Sequence, residues 1–170
     1  MEYMKKTLEE YIRQGDLKNI EICERYLDFS KTGFLSLIKW LSKFMKLYAE
    51  AEYVFICDNF LPVSSCKKRK ETKVIQLWHS GGLLKKAGYD TEDSVPGMYK
   101  GNVFKNYDLL TVSAPCCVEI IEKSLRQPKG VVKPTGISRS DIYFDQNYNK
   151  ECISEFYKTC LLYTSPSPRD

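Results

Sequence analysis

"KVIQLWHSGGLLKKAGYD" (residues 73–90) opens with six residues of strand character, then breaks into a histidine, two glycines and a lysine pair. Val74, Ile75, Leu77 and Trp78 are β-branched, aliphatic or aromatic. Their run is short and ends at glycines, which reads as a strand. His79, the chain's single histidine, takes a proton near neutral pH. Gly81 and Gly82 allow backbone to approach a ligand closely. A site at the end of this strand is therefore expected.

Outward from it, "YVFIC" (53–57), "YDLLTVS" (107–113) and "GVVKPT" (130–135) read as further strands. Residues 3–14 read as a helix closed by Gly15-Asp16, and residues 20–27 fit no single period. After Gly33, a longer helix is marked by Phe34, Leu37, Ile38, Leu41, Phe44, Met45 and Tyr48, which recur at three and four residues. "PCCVEIIEKSLR" begins with Pro115, suited to a first helical turn. Strands with near-continuous apolar runs alternating with helices predict an α/β fold with a parallel sheet covered on both faces. Ligands of such sheets collect at the carboxyl ends of the strands, which places His79 and Gly136-Ile137-Ser138-Arg139 on one rim.

A chain of 170 residues is long enough for one ordinary domain with a real core. No apolar run approaches the roughly 18 residues of a membrane span, and no signal peptide is apparent. Seven cysteines (23, 57, 66, 116, 117, 152 and 160) form no Cys-x-x-Cys pair, arguing against a disulfide framework or zinc ribbon and for a reducing cytoplasm. The net charge of +4 permits an anionic partner without demanding nucleic acid. No local cluster of carboxylates and histidine suggests a metal, and no cofactor is expected.

"CLLYTSPSPRD" (160–170) resembles the conceptual translation of a transposase-end sequencing adapter. It is read as a non-native tail following a domain of residues 1–159.

"FICDNFLP", "VIQLWHSGGLLKKAGYDT", "YDLLTVSA" and "PTGISRSDIYF", in this order and spacing, resemble the CDP-glycerol glycerophosphotransferases that build teichoic acid and related envelope polymers. The resemblance covers roughly residues 50–145, and the Trp-His and Lys-Lys block is its most specific part. Ser80 stands where the family more often has Gly or Ala, and Ser138-Arg139-Ser140-Asp141 replaces a Pro-Arg-x-Asp block. The resemblance implies the amino-terminal, acceptor-side half of a GT-B type transferase with two Rossmann-like domains. It also implies that the chain is truncated at both ends and lacks the half that binds the cytidine nucleotide. The implied reaction moves glycerol or ribitol phosphate from CDP-glycerol or CDP-ribitol to a hydroxyl of a lipid-linked acceptor, releasing CMP. The implied location is cytoplasmic, peripheral on the inner face of the membrane, with no nucleic-acid partner.

Such a displacement needs a base, cations for the diphosphate and a dry cleft. His79 fits the base, although a histidine at a strand end also serves as a brace. Lys85 and Lys86 suit phosphate, helped by a helix expected to start near Leu83; the alternative is a solvated helical face, since adjacent lysines do not both point inward. Arg139 offers a planar fork for an anion, with Asp141 orienting it. Gly136 belongs to the same rim loop. Asp58 and Asn59 either bind acceptor hydroxyls or shape a turn. Lys39, Lys43 and Lys46 on one helix face, and "KKRK" (67–70), suit either anionic headgroups or ordinary solvent. Two other readings stay open: half of a GT-B nucleotide-sugar glycosyltransferase, and a non-catalytic basic membrane-binding module.

Overall fold

Each apolar run becomes a short strand, and the four strands lie side by side in chain order: β1 (Tyr53–Ile56), β2 (Lys73–Gln76), β3 (Leu109–Thr111) and β4 (Val132–Lys133). The computed structural model describes residues 2–26, 32–80, 82–91, 97, 99–137 and 140–160. Every pairing is parallel, with Ile56 opposite Gln76, Gln76 opposite Leu110 and Leu110 opposite Val132. Among the described residues five α-helices accompany the strands: α1 (Glu2–Gln14), α2 (Phe34–Glu50), α3 (Leu61–Ser65), α4 (Pro115–Ser124) and α5 (Gln146–Cys160). Single 3₁₀ turns form at Gly88–Asp90 and Asp141–Phe144.

The helix boundaries follow local chemistry. α1 ends where Gly15 turns left-handed (φ +83°), with Gly15 N–H on the Ile12 carbonyl and Asp16 N–H on the Tyr11 carbonyl. These two bonds satisfy carbonyls that the helix end would otherwise orphan. Pro115 opens α4 as expected. In α2 only the carboxyl half of the apolar stripe reaches the core. Tyr48 is buried, Phe44 meets Phe60 edge-on at 4.9 Å, and the Tyr48 hydroxyl donates to the Val63 carbonyl. Phe34, Leu35 and Ile38 at the other end are exposed. Residues 20–26 form neither helix nor strand, and residue 27 lies outside the described residues.

The core lies on one face of the sheet. Ile56, Val74, Leu110 and Val132 form a single cluster with Val63 of α3 and with Cys117 and Ile121 of α4. The opposite face departs from the expectation of full cover, since Phe55, Ile75 and Leu109 are only partly buried and Tyr53 is 56% exposed. The strand order explains this. When strands follow chain order and crossovers keep the right-handed sense, every crossover falls on the same side.

At the amino edge of the sheet Asp108 joins β2 to β3, accepting from Val74 N–H at 2.8 Å and pairing with Lys68 at 2.9 Å. Arg69 donates to the carbonyls of Glu50 and Ala51. Half of the 67–70 basic run is thus spent on internal bracing. It also lies at the sheet edge opposite His79.

Candidate active site

β2 ends at Gln76, and the chain continues through Leu77, whose N–H donates to the Ile56 carbonyl at 2.8 Å, to a buried Trp78. His79 comes next and emerges at the carboxyl rim with its ring 5.2 Å from the Trp78 ring. The neighbouring strand supplies its partner. His79 Nδ1 lies 3.3 Å from the Cys57 carbonyl. A carbonyl only accepts, so in the neutral ring this contact keeps the proton on Nδ1 and leaves Nε2 as the lone-pair nitrogen.

Asp58 is brought to the same place, its Oδ1 3.9 Å from His79 Nδ1, but its side chain is 81% exposed. Exposed pairs of this kind contribute little. The turn after β1 is built around Asp58: its carboxylate accepts from Asn59 N–H at 2.7 Å and its carbonyl from Gln76 Nε2 at 3.0 Å. Asn59 Oδ1 is buried without a protein partner. The fold therefore unites His79, Asp58 and Asn59 at adjacent strand ends.

The segment after His79 differs from its expectation. No helix starts near Leu83; residues 82–87 are irregular and lead into the 3₁₀ turn at Gly88. Lys85 and Lys86 are exposed there, so no helix dipole stands behind them. Ser80 Oγ donates to the Gly82 carbonyl at 2.8 Å, which pins the loop locally in place of helical bonding. Gly82 is neither left-handed nor crowded, since an added Cβ would meet nothing closer than Leu84 at 4.0 Å. Gly81 lies outside the described residues.

After β4, Gly136 is left-handed (φ +88°) and its N–H donates to the Val112 carbonyl at 3.1 Å, tying this loop to the end of β3. It shares the rim with His79, two strand spacings away, or about 10 Å. Asp141 is exposed at the start of its 3₁₀ turn. Arg139 and Ser138 lie outside the described residues. A crevice of about 10 Å³ lies at this rim between Trp78, Ser80, Gly82 and Ser113. That is room for about one water. A far larger groove, about 720 Å³, runs along α4 and β4 past Glu119, Arg126 and Lys133.

Sequence reasoning passed over four residues that shape this region. Cys57 acts through its carbonyl, which no side-chain motif reveals. Gln76 was visible as the polar residue inside an apolar strand. Tyr107 is buried and burial pushes its phenol up to about 12. Gly88 is left-handed (φ +59°), and a Cβ there would collide with Leu125 and the Ser124 carbonyl.

An all-parallel α/β sheet with an imidazole presented at its carboxyl rim defines a class, that of α/β proteins whose chemistry sits at strand ends. The particular family follows from comparison with known proteins. The chain belongs to the CDP-glycerol:poly(glycerophosphate) glycerophosphotransferase family, whose profile matches residues 10–161. It is 29% identical over 156 residues to the teichoic acid ribitol-phosphate primase of Bacillus spizizenii, a match covering 88% of this chain and 40% of that protein. It is 34% identical over 127 residues to the teichoic acid glycerol-phosphate primase of Bacillus subtilis, covering 69% and 32% respectively. With the ribitol-phosphate polymerase TarK of Staphylococcus aureus it shares 28% identity over 154 residues, covering 83% and 30%. The chain thus spans two fifths or less of each of these relatives.

Proposed function

We propose that this chain is the acceptor-side half of a CDP-polyol phosphotransferase of GT-B type, with His79 as its general base. The observation that carries this reading is the contact of His79 Nδ1 with the Cys57 carbonyl, which leaves Nε2 free to accept a proton at the sheet's carboxyl rim. In the reaction, an acceptor hydroxyl attacks the polyol-side phosphorus of CDP-glycerol or CDP-ribitol. A new P–O bond forms, the bond to CMP breaks, CMP leaves with the electron pair, and the hydroxyl proton passes to His79 Nε2.

Asp58 and Asn59, beside the imidazole, serve the acceptor hydroxyls. Lys85, Lys86 and the Gly136–Asp141 loop, with Arg139, supply charge and N–H groups for the diphosphate, and Gly81 and Gly82 let it approach. The donor's nucleotide belongs to a second domain. Residues 160–170 are a non-native tail after a domain of residues 1–159.

The acceptor is lipid-linked and the working place is the inner membrane face. No described helix is long and apolar enough to cross a membrane. The supporting observation for surface contact is α2, where exposed Phe34, Leu35 and Ile38 adjoin a stripe of exposed Lys39, Lys43 and Lys46.

The deciding experiment replaces His79 in a full-length protein carrying this domain and measures CMP release from CDP-glycerol and from CDP-ribitol with a lipid-linked acceptor. Loss of turnover in a folded variant supports the reading. Near-normal turnover by His79→Gln overturns it.

A further inference from the structure

We propose that Gln76 is a positioning residue that sets the tautomer of His79. Gln76 sits inside β2, fully buried, between Ile56 of β1 and Leu110 of β3. Interior strands of parallel sheets are filled with aliphatic residues. A primary amide in such a place is costly unless its polar atoms are bonded. Gln76 uses its amide to reach across to the next strand, where Nε2 donates to the Asp58 carbonyl at 3.0 Å. Its Oε1 has no donor in hydrogen-bonding geometry, and the equally buried Tyr107 hydroxyl, also without one, lies beside it.

The placement of that bond gives it a function. The last backbone link between β1 and β2 at this end is Leu77 N–H to the Ile56 carbonyl. Beyond it the two strands have only side chains to hold them together. The Gln76 amide extends the pairing two residues further along β1, to Asp58. Cys57, the residue in between, is thereby held with its carbonyl 3.3 Å from His79 Nδ1. The tautomer of an imidazole is set by the hydrogen bond its other nitrogen makes. Free histidine in water favours the proton on Nε2, so a fixed carbonyl at Nδ1 reverses the preference. Gln76 acts through the backbone of residues 57 and 58 and touches neither imidazole nor substrate. Its catalytic consequence rests on the reading of His79 as the base; the tautomer itself does not.

Because this chain has one histidine, long-range ¹⁵N–¹H NMR reads its imidazole without assignment ambiguity. At a pH where the ring is neutral, the unaltered chain is expected to give the pattern of the Nδ1–H tautomer. Folded Gln76→Met is expected to raise the ratio of Nε2–H to Nδ1–H tautomer at least severalfold. Gln76→Val, smaller and well suited to a strand, serves as the second variant should the Met protein fail to fold. Asp58→Asn keeps the backbone carbonyl and is expected to keep the Nδ1–H pattern. An unaltered tautomer in folded Met or Val protein, an Nε2–H pattern in the parent chain, or a tautomer switch in Asp58→Asn alone overturns the proposal. CMP release from the same variants in a full-length protein separates the two readings. A switched tautomer with undiminished transfer removes His79 as the base and leaves the positioning role of Gln76 standing.

Discussion

His79 has its Nδ1 against a backbone carbonyl and its ring face against buried Trp78, so two of its freedoms are spent before any substrate arrives. The remaining nitrogen is the one available for chemistry. In a full-length protein His79→Ala is expected to lower the transfer rate by roughly two to four powers of ten, the usual contribution of a positioned base, with donor affinity nearly unchanged. His79→Gln keeps polarity and approximate size yet accepts no proton, and is expected to fail to a similar degree. CMP release and thermal melting measured together discriminate: a brace lowers the melting temperature on Ala substitution and tolerates Gln, whereas a base loses turnover in both with melting little changed.

Between β2 and β3, the 3₁₀ turn at Gly88–Asp90 is sewn to α4. Ser124 Oγ donates to the Ala87 carbonyl, and the Arg126 guanidinium lies 3.7 Å over the Tyr89 ring. Gly88 is where this seam closes, left-handed and backed directly by Leu125 and the Ser124 carbonyl. Gly88→Ala combines a strained backbone with overpacking, each costing about 1–3 kcal/mol. It is expected to lower unfolding free energy by at least about 2 kcal/mol in urea titration. At the amino ends of β2 and β3, Asp108→Ala removes an acceptor from Val74 N–H and a partner from Lys68. A cost of roughly 1–3 kcal/mol is expected, the usual penalty for leaving a part-buried donor unpaired. A cost under half a kilocalorie for either variant, a surface-like value, means that the element concerned does not depend on that contact.

Across the whole molecule two buried phenols report on the integrity of the core. Burial pushes Tyr48 and Tyr107 up to about 12 from an ordinary value of 10.0. Both are neutral in folded and unfolded chains below pH 10. Above that the unfolded chain ionises first, so the unfolded state binds fewer protons and stability falls as pH rises from about 10 to about 12. Melting curves across that window are expected to show the loss, and Tyr107→Phe is expected to flatten it by removing one of the two groups. A curve of unchanged slope in the Phe variant excludes Tyr107 as a source. Function at this scale depends on what faces the rim. A one-water crevice lies beside Trp78 at this rim, and the relatives are at least about two and a half times as long as the part matched here. This chain alone, incubated with CDP-glycerol and a lipid-linked acceptor, is expected to release no CMP above background; clear turnover by it sinks the half-enzyme reading.

The amino-acid sequence by itself determined the four strands, three of the five α-helices found among the described residues (α1, α2 and α4), and the rim on which His79 and Gly136 lie; the short α3 and the carboxyl-terminal α5 went unread. Those features rest on local periodicity, turn residues and the rule that parallel sheets bind at their carboxyl ends, all of which act over short stretches. It also overreached: a helix near Leu83 and full cover on both sheet faces were read from local pattern, and neither formed. Only the tertiary structure decided that Lys68 and Arg69 serve as internal braces, because their partners lie 40 and about 20 residues away in the chain. It alone brought the Cys57 carbonyl to His79 and the Gln76 amide to Asp58, since contacts between strands of a parallel sheet join residues about 20 apart. A backbone carbonyl has no signature in a side-chain motif, and its role at a site exists only once two strands are paired in register.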